Sequence, residues 1–136
     1  MIFTNNKNNK MVKEVTSIDE FDTLLEEAGN KLVVVDFTAS WCPPCKRITP
    51  EFERLSNENP EIVFLKVDVD KCTNIARKYR VSAMPTFKFI KQSTLYDTVI
   101  GGNLSTVTSY MKKYSREDAV PSSNPDGSSM GMCNIL

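Results

Sequence analysis

The chain has 136 residues, 17 basic and 17 acidic side chains, four cysteines and no histidine. The length indicates one domain, and the zero net charge argues against a nucleic-acid partner, because phosphate binding requires clustered basic side chains. The lack of histidine excludes Ser-His-Asp and Cys-His catalysis, so proton transfer near neutral pH must use a thiol or a carboxyl group with a shifted pKa.

Residues 1–10 contain many asparagines and no apolar stretch of the kind found in signal peptides, so we interpret them as a flexible leader. No apolar run in the sequence has the length of a transmembrane helix. We therefore expect a cytoplasmic protein. Because thiols are kept reduced there, its cysteines suit reactive or regulatory roles better than structural disulfides.

Hydrophobic patterns predict the first elements. A short strand over residues 12–15 precedes the sequence Ser-x-x-Glu at 17–20, a capping box that begins a helix. Gly29 and Asn30 end this helix. Residues 32–37 form a β-branched apolar run, typical of a strand buried on both faces, and Asp36 is the one charge within it.

The later elements follow the same alternation. We predict a helix after Cys42, a strand over 62–69, a short helix over 70–79, strands over 87–90 and 95–100, and a last helix capped by Asn103. This order predicts an α/β fold with a partly parallel sheet and helices on both faces. The short connection between the last two strands predicts an antiparallel pair. The polar composition of residues 116–136 predicts a disordered tail.

Cys42 and Cys45 form a Cys-x-x-Cys motif between a buried strand and a helix, with Lys46 adding positive charge. A helix N-terminus stabilises a thiolate, so the pKa of Cys42 is expected below the free value of about 8.5. This context predicts a redox motif. Three alternatives are a zinc site, which lacks its four ligands, a structural disulfide, which gains little from so short a loop, and buried cysteines without a role.

The segment over residues 35–46, Val-Asp-Phe-Thr-Ala-Ser-Trp-Cys-Pro-Pro-Cys-Lys, resembles the active-site segment of the thioredoxin family. Met84-Pro85-Thr86 resembles the family's cis-proline loop, and Gly101 its glycine beside the active site. The resemblance covers residues 11–115 and implies a thioredoxin fold, with a central mixed sheet of four to five strands flanked by four helices. It also implies dithiol–disulfide exchange that needs no cofactor beyond the Cys42–Cys45 disulfide.

The resemblance also implies roles for single residues. Cys42 is the attacking thiolate, Cys45 the resolving thiol, and Asp36 the buried carboxylate that exchanges protons with Cys45. Lys66 on the neighbouring strand and Lys46 are expected to tune the pKa values. Burial raises the pKa of a carboxyl group, which agrees with the role of Asp36. The alternative is a structural ion pair between Asp36 and Lys66.

A substrate surface is implied around the redox pair. In the family the bond before Pro85 is cis, and the backbone of the preceding residue pairs with the substrate chain; the alternative is a trans proline that begins a strand. The residues expected to contact the substrate are Trp41, Pro43, Pro44, Ala83, Met84, Pro85 and Gly101.

The Pro43-Pro44 spacer departs from the Gly-Pro that is common in the family. It stiffens the loop and removes a backbone N–H. The same spacer occurs in tryparedoxins and nucleoredoxins, so a redox carrier of that kind is one alternative, and a redox-dependent binding module is another. The implied partners are a thioredoxin reductase or another dithiol donor and disulfide-containing proteins, and we expect a monomer.

The other two cysteines differ in setting. Cys72 stands near a predicted helix start and is a candidate regulatory thiol; the alternative is a small, semi-buried residue. Cys133 begins Cys-Asn-Ile-Leu, which fits the geranylgeranyl form of the C-a-a-X motif, with a chance match as the alternative. One lipid anchors only reversibly, so prenylation would give partial association with cytosolic membrane faces.

Overall fold

The computed structural model describes residues 11–127, and the elements follow the predicted order. The strands are β1 (Val12–Val15), β2 (Leu32–Thr38), β3 (Val63–Asp68), β4 (Thr86–Lys91) and β5 (Thr94–Ile100). The helices are α1 (Ile18–Ala28), α2 (Pro43–Glu58), α3 (Thr73–Lys78) and α4 (Leu104–Tyr114).

These strands form one mixed sheet in the order β1-β3-β2-β4-β5. β1 and β2 are parallel to β3, whereas β4 is antiparallel to β2 and β5 is antiparallel to β4. All seven residues of β2 are buried, as its unbroken apolar sequence predicts for a central strand. The expected mixed sheet of four to five strands flanked by four helices is confirmed, with five strands in the sheet.

Two apolar cores lie on opposite faces of the sheet, because side chains alternate along each strand. Val33, Val35 and Phe37 of β2 pack in one core with α1 and α3. Leu32 and Val34 pack in the other core with α2 and α4. The helix that begins at the Cys-x-x-Cys motif, α2, therefore lies on the second of these faces.

The helix ends follow local capping chemistry. The Ser17 side chain accepts a hydrogen bond from the Glu20 N–H at 3.1 Å, which confirms the predicted start of α1. α3 is shorter than the predicted 70–79. The Asp68 carboxylate accepts hydrogen bonds from the N–H groups of Asp70 and Lys71, which hold this stretch as a turn before the helix begins.

The expectation of disorder from residue 116 onward is wrong for residues 116–127, which we call the strap. The Ser122 N–H donates to the Tyr96 carbonyl of β5 at 2.8 Å, and the Thr98 hydroxyl donates to the Pro125 carbonyl at 2.7 Å. Ala119 packs against the core beside α4. Hydrogen bonds between the backbone of the strap and β5 therefore hold a segment whose polar composition suggested that it could not pack.

Candidate active site

The redox motif lies between the end of β2 and the first turn of α2. Cys42 is the N-cap of α2, and a disulfide joins it to Cys45, with 5.3 Å between the Cα atoms. The Cys45 N–H donates to Cys42 Sγ at 3.2 Å. Pro43 and Pro44 occupy the first helical positions, where a missing N–H costs nothing because it would have no partner inside the helix.

This placement gives the two sulfurs different environments. Cys42 Sγ receives the N–H and the partial positive charge of the helix start, which favour the thiolate when the disulfide is reduced. Cys45 lies one turn into α2 and is 1% exposed, compared with 4% for Cys42. The geometry therefore makes Cys42 the sulfur better suited to form the thiolate.

The loop before β4 lies against Cys42. The Met84–Pro85 peptide bond is cis, so the trans alternative is wrong. The Met84 carbonyl oxygen is 3.8 Å from Cys42 Sγ. On the other side of the loop, the Gly101 N–H donates to the Pro85 carbonyl at 2.8 Å. Gly101 has a φ of 103°, a backbone conformation that favours glycine over residues with a side chain.

The residues expected to contact a substrate surround this loop, and most of them are accessible. Trp41 is 62% exposed. Pro43 and Ala83 are exposed, Pro44, Met84 and Gly101 are half-buried, and Pro85 is buried. The structure thus brings the predicted rim residues to the open side of the disulfide.

Sequence reasoning missed two residues of this rim. The indole N–H of Trp41 donates to the Asp70 carboxylate at 2.8 Å, a contact across 29 positions that no local pattern indicates. Ile100 is 56% exposed and ends β5, next to Gly101. A local signal existed for Ile100, because Val99 and Ile100 are consecutive apolar residues of a strand and only one of them can face the core.

Asp36 is buried on the α2 face of β2, with 2% of its surface exposed. Its Oδ1 atom has no hydrogen-bond partner in the described part of the chain. Desolvation by burial raises the pKa of Asp36 to about 7, although the Lys66 charge opposes the shift. A carboxyl group with such a pKa can take up and release a proton near neutral pH.

Lys66 stands beside Asp36 in the register of β2 and β3 and is half-buried. The ion pairs found among residues 11–127 do not include one between these two side chains, so the structural ion pair is not formed. Lys66 instead lines a cleft of about 220 Å³. Lys46 lines the same cleft, together with Glu14 and Asp68.

Cys72 is the N-cap residue of α3 and is 3% exposed. Its thiol donates to the Val15 carbonyl at 3.5 Å. Burial, and to a lesser degree the carboxylate of Asp68, raise the pKa of this thiol. A raised pKa disfavours the reactive thiolate, so the structure favours the packing interpretation over the regulatory one. Cys133 lies outside the described residues.

Two further features concern ligands and membranes. Within residues 11–127, no group of three or more His, Cys, Asp or Glu side chains is arranged to hold a metal ion. None of the helices α1 to α4 is long and apolar enough to cross a bilayer.

Comparison with known proteins places the chain among close relatives. The family model named Thioredoxin matches residues 11–113. Thioredoxin 1 of Plasmodium falciparum is 45% identical over 104 residues, which are 76% of this chain and 98% of that protein. The crystal structure of reduced Schistosoma mansoni thioredoxin pre-protein is 46% identical with a TM-score of 0.73, and the match covers 76% of this chain and 97% of that one.

A third match comes from a structure described as the basis of thiol resolving in yeast mitochondrial 1-Cys peroxiredoxin via glutathione/thioredoxin systems. It has 35% identity and a TM-score of 0.69, and the match covers 74% of this chain and 93% of that chain. The family model spans the sheet, the disulfide and the cis-proline loop, whereas the strap lies beyond its last matched residue.

Proposed function

Because the chain belongs to the thioredoxin family and is a protein-disulfide oxidoreductase, we propose that it reduces disulfides of other proteins with electrons from a dithiol donor. The donor would be a thioredoxin reductase or another protein dithiol. The similarity to a chain of the yeast mitochondrial 1-Cys peroxiredoxin structure supports an oxidised protein thiol as one kind of substrate.

The proposed reaction has two exchange steps. The Cys42 thiolate attacks one sulfur of the substrate disulfide, so that a Cys42–substrate disulfide forms, the substrate S–S bond breaks and the other substrate sulfur leaves as a thiolate. The Cys45 thiol then passes its proton to the Asp36 carboxylate and attacks Cys42 Sγ. This step forms the Cys42–Cys45 disulfide and releases the second substrate sulfur. Two electrons pass to the substrate, whose two thiolates take up protons.

The observation on which the proposal depends is the setting of Cys42. Its sulfur accepts the Cys45 N–H at the start of α2 and lies 3.8 Å from the Met84 carbonyl. An extended substrate chain can pair with the backbone beside Pro85 while its disulfide approaches Cys42. Trp41 and Ile100 offer exposed apolar surface next to that path.

Reduction of insulin disulfides, driven by dithiothreitol or by a thioredoxin reductase, tests this function. We expect Cys42→Ser to reduce the rate to that of the reductant alone, because the attacking sulfur is lost. Cys45→Ser should trap a mixed disulfide between Cys42 and the substrate, visible by mass. Cys72→Ala is the matched control and should retain activity. Reduction that survives Cys42→Ser would refute the proposal.

The Pro-Pro spacer favours a second candidate, a carrier of the tryparedoxin or nucleoredoxin kind, or a module that binds partners according to its redox state. The reduction potential of the Cys42–Cys45 couple distinguishes such a carrier from a disulfide reductase, and a binding assay identifies a binding module. A binding module would keep its partner affinity in the Cys42→Ser/Cys45→Ser double variant. A disulfide reductase would lose its activity in the same variant.

We further propose a cytoplasmic monomer that associates in part with membranes through a prenyl group on Cys133. The last four residues, Cys-Asn-Ile-Leu, support prenylation, and a single lipid gives only reversible binding. Cell fractionation and an intact mass from the native host test this. Complete recovery in the soluble fraction, with residues 134–136 still attached and no lipid, would exclude it.

A further inference from the structure

Three charged residues lie side by side across the sheet beneath α2. Glu14 of β1 is in register with Lys66 of β3, and Lys66 is in register with Asp36 of β2. Partners in register on neighbouring strands project from the same face of a sheet. The row passes from the exposed Glu14 through the half-buried Lys66 to the buried Asp36. A single lysine thus lies between two carboxylates, one facing solvent and one facing the core.

Glu14 and Lys66 line the cleft beside this row, and Glu14 is exposed to solvent. The Lys66 ammonium forms no ion pair within 4.0 Å in residues 11–127, so neither carboxylate holds it in a direct contact. A lysine side chain is long and has several rotatable bonds. Its ammonium can therefore respond to both neighbouring charges.

Two other charged side chains, Asp68 and Lys46, line the cleft. Asp68 Oδ1 accepts hydrogen bonds from the N–H groups of Asp70 and Lys71, which hold that carboxylate in the turn before α3. Lys46 carries the same charge as Lys66 and repels it. The Glu14 side chain makes no hydrogen bond or ion pair within residues 11–127, so its carboxylate is available to attract Lys66.

We propose that Glu14 is a positioning residue for the proton step at Asp36: its carboxylate draws the Lys66 ammonium toward solvent and away from the Asp36 carboxyl group. This inference rests on the proposed function, in which Asp36 takes the Cys45 proton. Burial raises the pKa of Asp36, and the approach of Lys66 lowers it. Glu14 therefore keeps Asp36 a strong enough base to accept a proton near neutral pH.

The test is the Glu14→Gln variant, which removes the charge at an exposed position. If Lys66 moves toward Asp36, the pKa of Asp36 should fall by about half a unit, since a nearer cation favours the carboxylate. Two readouts report this shift: the ¹³C carboxyl resonance of Asp36 across pH 5–9, and the pH midpoint of single-turnover disulfide reduction. Trp41, the one tryptophan in the sequence, provides the fluorescence signal for the second readout.

Two controls separate positioning from a general change of charge. Glu61→Gln makes the same charge change in the exposed loop before β3 and should leave the midpoint in place. In a Lys66→Met background, Glu14→Gln should shift the pKa of Asp36 by less than about 0.1 unit, because the group that Glu14 positions is gone.

Two results would overturn the proposal. In the first, the Asp36 titration of Glu14→Gln coincides with that of the unmodified chain. In the second, the full shift persists in the Lys66→Met background, which would assign it to the direct field of Glu14. The carboxyl resonance does not depend on activity, so it decides the role of Glu14 even if insulin reduction fails.

Discussion

Asp36 and Asp97 are both buried in the same sheet, with 2% and 8% of their surface exposed. The Asp97 carboxylate accepts the Tyr114 hydroxyl at 2.7 Å and the Thr98 N–H at 2.8 Å. Asp36 Oδ1 has no such partner in the described chain, and the pKa of Asp36 is raised to about 7. One carboxyl group is thus satisfied by its neighbours, and the other is not.

The difference separates a structural role from a chemical one. Donated hydrogen bonds stabilise a buried carboxylate and fix its place, as Tyr114 and Thr98 do for Asp97. An unsatisfied carboxyl group costs stability but can change its protonation state near neutral pH. Asp36 faces the helix that begins with the redox pair, where a proton must move. Asp97 lies on β5, and its hydrogen bond from the Tyr114 hydroxyl only joins this strand to α4.

The largest predicted effect is on stability in Asp36→Asn. Since the pKa of Asp36 is about 7 in the folded chain and near 3.8 when unfolded, the folded state binds more protons between these values. Stability therefore falls as pH rises from about 4 to about 7, by about 4 kcal/mol in total. Asparagine removes this loss, so the variant should be more stable than the unmodified chain by about that amount at pH 8.

Denaturant unfolding of the oxidised protein at pH 5 and pH 8, followed by Trp41 fluorescence, measures the effect. The same variant should slow insulin reduction, because the Cys45 proton loses its acceptor. A stability gain that is equal at both pH values would contradict the raised pKa. Full reduction rates across neutral pH would contradict the proton role.

The second prediction concerns Asp97→Ala and has the opposite sign. The substitution leaves the buried Tyr114 hydroxyl and the Thr98 N–H without their acceptor, which should cost about 3 kcal/mol of unfolding free energy. Insulin reduction should be unchanged, because Asp97 contacts no part of the redox site. Adding Tyr114→Phe in the same chain should recover part of the loss, since the unpaired hydroxyl is removed. A loss of activity without a loss of stability would overturn the division between the two aspartates.

The two aspartates also show how far sequence reasoning reaches. The position of Asp36 was clear, because a single charge interrupts an apolar run and the surrounding segment resembles a known family. The hydrogen bonding of Asp97 could not be predicted in the same way. Its partner Tyr114 is 17 positions away, and the contact forms only when α4 packs on the sheet. Strands and helices follow local periodicity, so they were predicted with errors of a few residues at their ends.

The prediction of disorder failed at the strap for a related reason. Composition measures the apolar side chains that a segment can bury, but the strap is held largely through the Ser122 N–H and the Pro125 carbonyl. Such backbone groups are present in every sequence and give no local signal. The Asp70 contact with Trp41 was missed for the same reason as Tyr114, namely long separation along the chain.

The smallest predicted effect is the loss of stability when the strap is removed. The strap belongs with Asp97 in the comparison, because it bonds to β5 at the neighbouring residue Thr98. The strap bonds to Thr98, whose hydroxyl also accepts a hydrogen bond from the Lys88 ammonium at 3.1 Å, and Lys88 is 2% exposed. A chain that ends at Arg116 loses the hydrogen bonds from Ser122 and to Pro125, so it should lose about 2 kcal/mol of stability.

A chain that ends at Gly127 is the matched control for this truncation, because it keeps every strap contact with β5. It should unfold at the same denaturant concentration as the full chain. Both truncated chains should reduce insulin at the full rate and with an unchanged pH midpoint, because the strap contacts involve neither the disulfide nor Asp36. If the chain ending at Arg116 shifted the pH midpoint, the satisfied and the unsatisfied carboxyl groups would be coupled through the sheet. The strap would then belong to the chemistry as well as to the fold.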